Sequence, residues 1–146
     1  MAQDRPPKVR LSDIEPNRRR GGDLRVLLSP RTVGSTTGFM GALTLLPGEF
    51  VAEHYHPYSE EFLYVVRGRM DVRVDGEYRQ LAENEGLLVP IGVRHRVENN
   101  GTETSFAVFS LGPLASEPHL GHVDTEEVPH PEIAHQPISG RGETGK

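Results

Sequence analysis

The sequence is organised around GEFVAEHYHPYSEE, residues 48–61. His54 and His56 are two residues apart, so on an extended strand both imidazoles point to the same face. Pro57 has no backbone N–H and implies a turn, after which Glu61 can return to that face from the next strand. Imidazole binds zinc, iron, copper and nickel, and a carboxylate adds charge and a further donor. The stretch therefore predicts a metal site, although two exposed histidines on a loop would have the same spacing.

A second segment, PIGVRHRVEN at residues 90–99, supplies a further histidine. Pro90 and Gly92 predict a tight turn that aims His95 inward from the following strand. On its own this pattern more often holds a structural histidine, but beside the first stretch it predicts a shared site. We expect one divalent ion per subunit, held by side chains that also carry the catalysis: His54, His56, Glu61 and His95.

The two segments resemble the two sequence motifs of the cupin superfamily. The first, G(X)5HXH(X)4E(X)6G, is matched at Gly48, His54, His56, Glu61 and Gly68. The second, G(X)5PXG(X)2H(X)3N, is matched at Pro90, Gly92, His95 and Asn99. Asn84 replaces the opening glycine of the second motif, and asparagine tolerates the left-handed backbone. The resemblance covers about residues 25–112 and implies an all-β fold, a single double-stranded β-helix (jelly-roll) barrel.

Short strands separated by turn signals agree with a barrel, and no segment has a useful helical period. Residues 30–38 read as a loop. Asp75-Gly76 and Asn100-Gly101 predict two hairpins, and residues 61–66 are expected to pair behind residues 50–56. Because residues 61–66 have no polar face, we expect cover on both sides, by the barrel interior on one and by a second sheet or a second subunit on the other. This favours a homodimer.

Three regions follow from composition: a flexible arm at 1–22, a barrel at 23–115 and a polar, His/Pro-rich extension at 116–146. The arm can add an edge strand. Residues 139–146 are Gly-rich and are expected to be disordered.

Four of the seven histidines lie in the extension. His119 and His122 follow the last barrel strand and can fold over the open mouth towards the metal. His130 and His135 are expected to be solvated.

Composition excludes several functions. The chain has 146 residues, enough for one domain, and no cysteine, so disulfides, thiolate zinc sites and cysteine nucleophiles are ruled out. Lysine occurs only at Lys8 and Lys146, which argues against a buried Schiff-base lysine. The formal charge of -5 disfavours nucleic acid, and the basic cluster at 18–20 reads as part of a solvated arm. Without a signal peptide or an apolar span, we expect a cytoplasmic protein that does not bind membranes.

Residues 53–68 resemble the small cupin polyketide cyclases of the tetracenomycin and resistomycin type. This resemblance implies a poly-β-ketone substrate, presented by an acyl carrier protein in polyketide antibiotic biosynthesis. It also implies regiospecific intramolecular aldol closure followed by dehydration.

The residue inventory suits that chemistry, because without a suitable lysine a metal ion is the remaining strong electrophile. A 1,3-dicarbonyl chelates such an ion, and either a metal-bound hydroxide or Glu61 can take the proton. Zinc is favoured because the reaction needs no redox change, with Fe2+, Mn2+ and Ni2+ as alternatives. The candidate cavity walls are Phe39, Leu43, Leu45, Phe50, Leu63, Met70, Val72, Val97 and Phe109. A dioxygenase for a flavonol-like or dicarbonyl substrate, or a non-catalytic small-ligand binder, would use the same fold.

Overall fold

A computed structural model describes residues 5–138. The described chain forms ten strands: β1 Asp23–Leu28, β2 Phe39–Leu45, β3 Phe50–Tyr55, β4 Glu60–Arg67, β5 Met70–Val74, β6 Glu77–Leu81, β7 Gly86–Val89, β8 His95–Glu98, β9 Ser105–Gly112 and β10 Val123–Asp124. Helical structure is limited to one α-helical turn, α1 (Pro30–Val33), and two 3-10 turns, Leu11–Asp13 and Pro118–Leu120. Within residues 5–138 no helix is long and apolar enough to cross a membrane.

The strands form two five-stranded antiparallel sheets, ordered β1-β2-β9-β4-β7 and β10-β3-β8-β5-β6. Strand alternation sends one apolar face of each sheet inward, where the buried side chains form a single core. The largest fully buried apolar members are Leu45, Val65, Met70 and Val72. This all-β arrangement confirms the predicted jelly-roll class.

The hairpin at Asp75-Gly76 is confirmed, whereas two other predicted pairings are wrong. Asp75 and Gly76 both have positive φ, 51° and 85°, as a two-residue turn between β5 and β6 requires. The connections β3–β4 and β8–β9 instead cross from one sheet to the other. In the second crossing, Asn99 Nδ2 donates to Leu45 O and Glu103 O, both at 2.8 Å. These bonds fix Asn99 against the end of β2, so residues 100–101 lead into the other sheet.

The outward face of β4 is apolar and exposed. Phe62, Tyr64 and Val66 are 52%, 42% and 41% exposed, while Glu61 and Leu63 point inward. A covering second sheet was therefore a wrong expectation for the described chain, and cover by a second subunit stays a prediction.

The segment predicted as a loop at 30–38 begins with one helical turn. Ser29 and Thr32 form a reciprocal capping box: Ser29 Oγ accepts from Thr32 N at 3.3 Å, and Thr32 Oγ1 accepts from Ser29 N at 2.9 Å. Gly34, in the left-handed conformation, ends it. A single turn is too short to leave a helical period in the sequence.

The two extensions hydrogen-bond to the barrel and to each other. Strand β10 pairs with β3, and Arg19 Nη1 donates to Pro131 O at 3.0 Å and to Ile133 O at 2.7 Å. The arm adds no edge strand within residues 5–22, where only an isolated bridge joins Asn17 to Leu24. The flexibility of both extensions stays a prediction, and the disorder expected at 139–146 lies outside the described residues.

Candidate metal centre

The structure brings His54, His56 and His95 together. His54 lies on β3 directly opposite His95 on β8, and His56 follows the end of β3. One ligand atom from each ring lies within 4.8 Å of the others, close enough to hold a single ion. The ladder is irregular between Val51 and His54, and this shift sets the register that places the two strands' histidines opposite one another.

Each of these rings is oriented through its Nδ1 atom by a backbone carbonyl oxygen. The Nδ1 atoms of His54, His56 and His95 lie 2.8, 3.0 and 3.1 Å from the carbonyl oxygens of Ala52, Gly121 and Val93. A carbonyl only accepts, so each neutral ring carries its proton on Nδ1 and offers the lone pair of Nε2. The tautomer that a metal needs is thus set by the main chain.

Glu61 reaches the same point from β4, in the opposite sheet. Its Oε1 atom lies 3.3 Å from Nε2 of His56 and 3.1 Å from Nε2 of His95. Glu61 is buried, whereas Glu60 is only partly buried on the other side of the strand. The register of β4 therefore presents Glu61, and not Glu60, to the three histidines.

The buried Nε2 atom of His95 fits a metal-binding role. In the neutral ring this atom has a lone pair 3.1 Å from Glu61 Oε1, an ionised carboxylate oxygen that cannot donate to it, and no other described residue bonds it. Buried polar atoms without a partner are uncommon in folded proteins. An ion shared with His54 and His56 would satisfy this nitrogen, so the donor set fits one divalent metal.

The electrostatics hold His54 neutral and Glu61 ionised, the two protonation states that a cation needs, whereas His95 is more easily protonated. Burial, followed by the neighbouring His95 and Arg20, holds the pKa of His54 well below its usual value, so this ring is neutral. Burial disfavours the Glu61 carboxylate, but His56 and His95 together outweigh it and lower the pKa of Glu61. Burial also disfavours protonated His95, yet the pairing with Glu61 raises the pKa of His95.

The cluster lies on the wall of a cavity of about 510 Å³. Five of the nine predicted wall residues line it: Phe39, Leu43, Leu63, Val97 and Phe109. The other four do not, because Leu45, Met70 and Val72 are fully buried core residues and the Phe50 ring stacks on Arg96, 4.1 Å from its guanidinium carbon. Strand parity predicts which side chains point inward, but it does not predict which end of the barrel is filled.

The C-terminal extension completes the cavity. Gly121 bonds the ring of His56, and the adjacent His122 lines the cavity, with Nε2 2.8 Å from Nδ1 of His135. His135 is exposed, as the solvated role expected for it requires, although its ring contacts His122. Burial, together with nearby Arg20 and His135, lowers the pKa of His122 to about 3. His122 lines the cavity as expected of a residue over the mouth, but it is not part of the three-histidine cluster.

The other two tail histidines, His119 and His130, are exposed as well. His119 and His130 are 69% and 48% exposed, and each lies near a glutamate, Glu117 at 3.6 Å and Glu132 at 3.4 Å. The solvated role expected for His130 agrees with this placement, whereas His119 does not reach the cavity.

Sequence reasoning missed several polar residues of the cavity, among them Arg20 and Gln136. Arg20 was assigned to a solvated arm because its neighbours are charged, and no spacing links it to the histidines. The one local signal is the Gly21-Gly22 pair, which indicates an unusual backbone path.

Comparison with known proteins agrees with this architecture. Residues 41–112 match the cupin domain, and this chain belongs to the cupin family. Its relatives include polyketide synthase CurC of Streptomyces cyaneus, 58% identical over 86% of this chain and 82% of CurC. The tetracenomycin polyketide synthase protein TcmJ of Streptomyces glaucescens is 48% identical over 91% of this chain and 89% of TcmJ. The chain thus falls within the tetracenomycin-type group of cupins.

A solved structure of Bacillus subtilis oxalate decarboxylase, a protein with Mn(II) centres, superposes with a TM-score of 0.67 at 26% identity. The match covers 80% of this chain and 31% of that protein. It supports the barrel fold.

Proposed function

We propose that this protein is a metal-dependent cyclase of an aromatic polyketide pathway. It would close a ring in a poly-β-ketone by intramolecular aldol condensation and then remove water. One observation carries the proposal: three histidines with free Nε2 atoms, joined by Glu61, face an apolar cavity of about 510 Å³. That volume lies in the range of small-molecule sites. The similarity to polyketide synthase proteins supports the choice of substrate.

The proposed cofactor is one zinc ion, held by His54, His56 and His95 with Glu61 as the fourth ligand. When bound, such an ion acts as a Lewis acid that polarises carbonyl oxygens and makes the carbon between them more acidic. Zinc has no redox chemistry of its own, which suits a reaction without electron transfer. The same donors also suit Fe2+, Mn2+ and Ni2+.

The apolar walls would hold the flexible ketone chain folded, with its reacting carbons near each other. In the first step a methylene C–H bond breaks, the new C–C bond forms at a carbonyl carbon, and that carbonyl oxygen gains a proton. Dehydration then removes a second α-hydrogen and the hydroxyl group as water. Glu61 lines the cavity, with Oε1 within 3.3 Å of Nε2 of two histidines, and we assign it the proton transfer when it is not a ligand.

The proposed partners are an acyl carrier protein that presents the substrate and a second copy of this chain. The exposed apolar face of β4, with Phe62 and Tyr64 at its centre, is the surface that we assign to the homodimer.

The test is cyclisation under strict anaerobiosis. Metal-stripped protein is reloaded with zinc and added to a poly-β-ketone that a polyketide synthase generates in the same vessel. We expect a cyclised, dehydrated product with zinc and little product with the stripped protein or with Glu61→Gln. A requirement for iron with stoichiometric oxygen consumption would instead identify a dioxygenase. Ligand binding without turnover would identify a non-catalytic binder.

A further inference from the structure

Arg20 brings a buried positive charge to the cavity with few protein partners. Its side chain is 15% exposed and lines the cavity. A guanidinium has five N–H donors, yet within residues 5–138 it makes one hydrogen bond, from Nε to Asp124 Oδ1 at 2.9 Å. The Nη2 atom is buried and has no hydrogen-bond partner in the described chain. Burying a charged group with so few partners is costly, so the guanidinium, whose side chain lines the cavity, is suited to a ligand acceptor.

The backbone holds Arg20 in this position. The carbonyl oxygen of Arg20 accepts a hydrogen bond from Ala52 N at 2.8 Å, beside the strand that carries His54. The next residue, Gly21, has φ of 108°, and a Cβ atom there would lie 2.0 Å from the carbonyl oxygen of Phe50. Only glycine permits this close approach, which presses the arm onto β3.

Arg20 also acts on the candidate metal centre. Its charge contributes to the low pKa of His54, after burial and His95, and the Glu61 carboxylate in turn stabilises the charged guanidinium. Asp124, the one carboxylate that pairs with Arg20 in the described part of the chain, is itself 23% exposed and lies in the edge strand β10. The cavity therefore contains a fixed cation near the three histidines, with spare donors on its guanidinium.

We infer that Arg20 is an oxyanion-binding residue of the cavity, which donates to an enolate or carboxylate oxygen of a β-dicarbonyl ligand. The inference rests on the proposed function and deepens it, because a poly-β-ketone forms enolate oxygens, and its free acid, once released from the carrier protein, also has a carboxylate. A guanidinium recognises such oxygens through charge-assisted hydrogen bonds. Arg20 would thus hold one oxygen of the ligand while the histidine site engages another part of it.

The test measures binding to zinc-loaded protein by titration calorimetry with two probes. Acetoacetate carries a carboxylate, and acetylacetone is neutral but forms an enolate. Arg20→Gln should weaken acetoacetate binding about tenfold or more, as expected for loss of a charged hydrogen bond. Zinc affinity should not fall, because Arg20 is not one of the proposed zinc ligands and removing its positive charge does not disfavour a cation. Arg18→Gln is the matched control, because Arg18 lies in the same arm but is 47% exposed and pairs with Asp23.

The probes identify the oxygen. If Arg20→Gln weakens the binding of acetoacetate alone, Arg20 binds a carboxylate oxygen. If it weakens the binding of both probes, Arg20 binds an enolate oxygen. Asp124→Asn provides an effect of opposite sign, because it removes the competing carboxylate and should tighten acetoacetate binding about twofold or more. General damage to the contact between the Arg20 segment and β10 would weaken acetoacetate binding in both variants. The Asp124 variant also carries the test if Arg20→Gln does not fold.

Unchanged binding of both probes in Arg20→Gln and in Asp124→Asn would overturn the inference. An equal loss in Arg18→Gln would overturn it as well. If the wild-type protein cyclises its substrate while these results hold, only the role of Arg20 fails. If the wild type neither cyclises nor binds either probe, the inference fails together with the proposed function.

Discussion

Replacing His95 with alanine should remove most of the thermal stabilisation that zinc gives this protein. His95 is 1% exposed, and its Nε2 atom has no hydrogen-bond partner among the described residues. At zinc concentrations 100 times the dissociation constant, binding stabilises the wild type by about 2.7 kcal/mol. For a chain of this size each kcal/mol of stabilisation raises the melting temperature by about 2–4 °C, so we expect zinc to raise it by about 5–11 °C.

Loss of a residue that only hydrogen-bonds a metal ligand lowers metal affinity about 10–100-fold. Loss of a direct ligand such as His95 should lower zinc affinity at least as much. At 100-fold weaker binding, the same zinc concentration stabilises His95→Ala by only about 0.4 kcal/mol, or roughly 1–2 °C. The assay is differential scanning fluorimetry with and without zinc, and it compares the rise within each variant. This comparison removes any effect of the substitution on the metal-free fold.

His119→Ala is the matched control, because this histidine is 69% exposed and lies outside the cavity. In this variant zinc should raise the melting temperature as much as in the wild type. If His95→Ala keeps the wild-type rise, or if His119→Ala loses it, the three-histidine site is refuted.

Three further predictions concern pH, the arm and the outer sheet face. The pKa of His95 is raised by Glu61, so this pairing stabilises the metal-free protein fully below about pH 6.5 and is lost as pH rises through the raised value. Urea unfolding should show that loss in the wild type and not in His95→Ala, while zinc affinity should rise over the same pH range as protons stop competing. Gly21→Ala should destabilise by about 1–3 kcal/mol, because φ of 108° and the Phe50 carbonyl exclude a Cβ; an unchanged urea midpoint would contradict this. Phe62→Arg should give monomers by light scattering, whereas Leu46→Arg, at a similarly exposed loop site, should not; a dimer that persists in Phe62→Arg would place the interface elsewhere.

The sequence alone predicted the residues of the candidate metal centre, His54 and His56 from their local spacing and Glu61 and His95 with the help of the cupin motifs. His54 and His56 share a strand face at a separation of two residues, and this geometry needs no tertiary information. Asn84 shows the same logic, since its replacement of a motif glycine predicted a left-handed backbone and the structure has φ of 67° there. The turn at Asp75-Gly76 could also be predicted from the sequence, because its conformation depends on these two residues.

Tertiary structure decided the partners of strands and the roles of the extensions. β3 and β4 are consecutive in the chain but lie in opposite sheets, and nothing in their own residues states which sheet each joins. Arg20 and His122 are about a hundred residues apart in a charged arm and a polar tail, yet both line one cavity. Local composition describes how polar a segment is, but only the folded backbone determines which surface that segment covers. The histidines were therefore predictable from the sequence, whereas the charge placed beside them was visible only once the two ends of the chain were folded over the barrel.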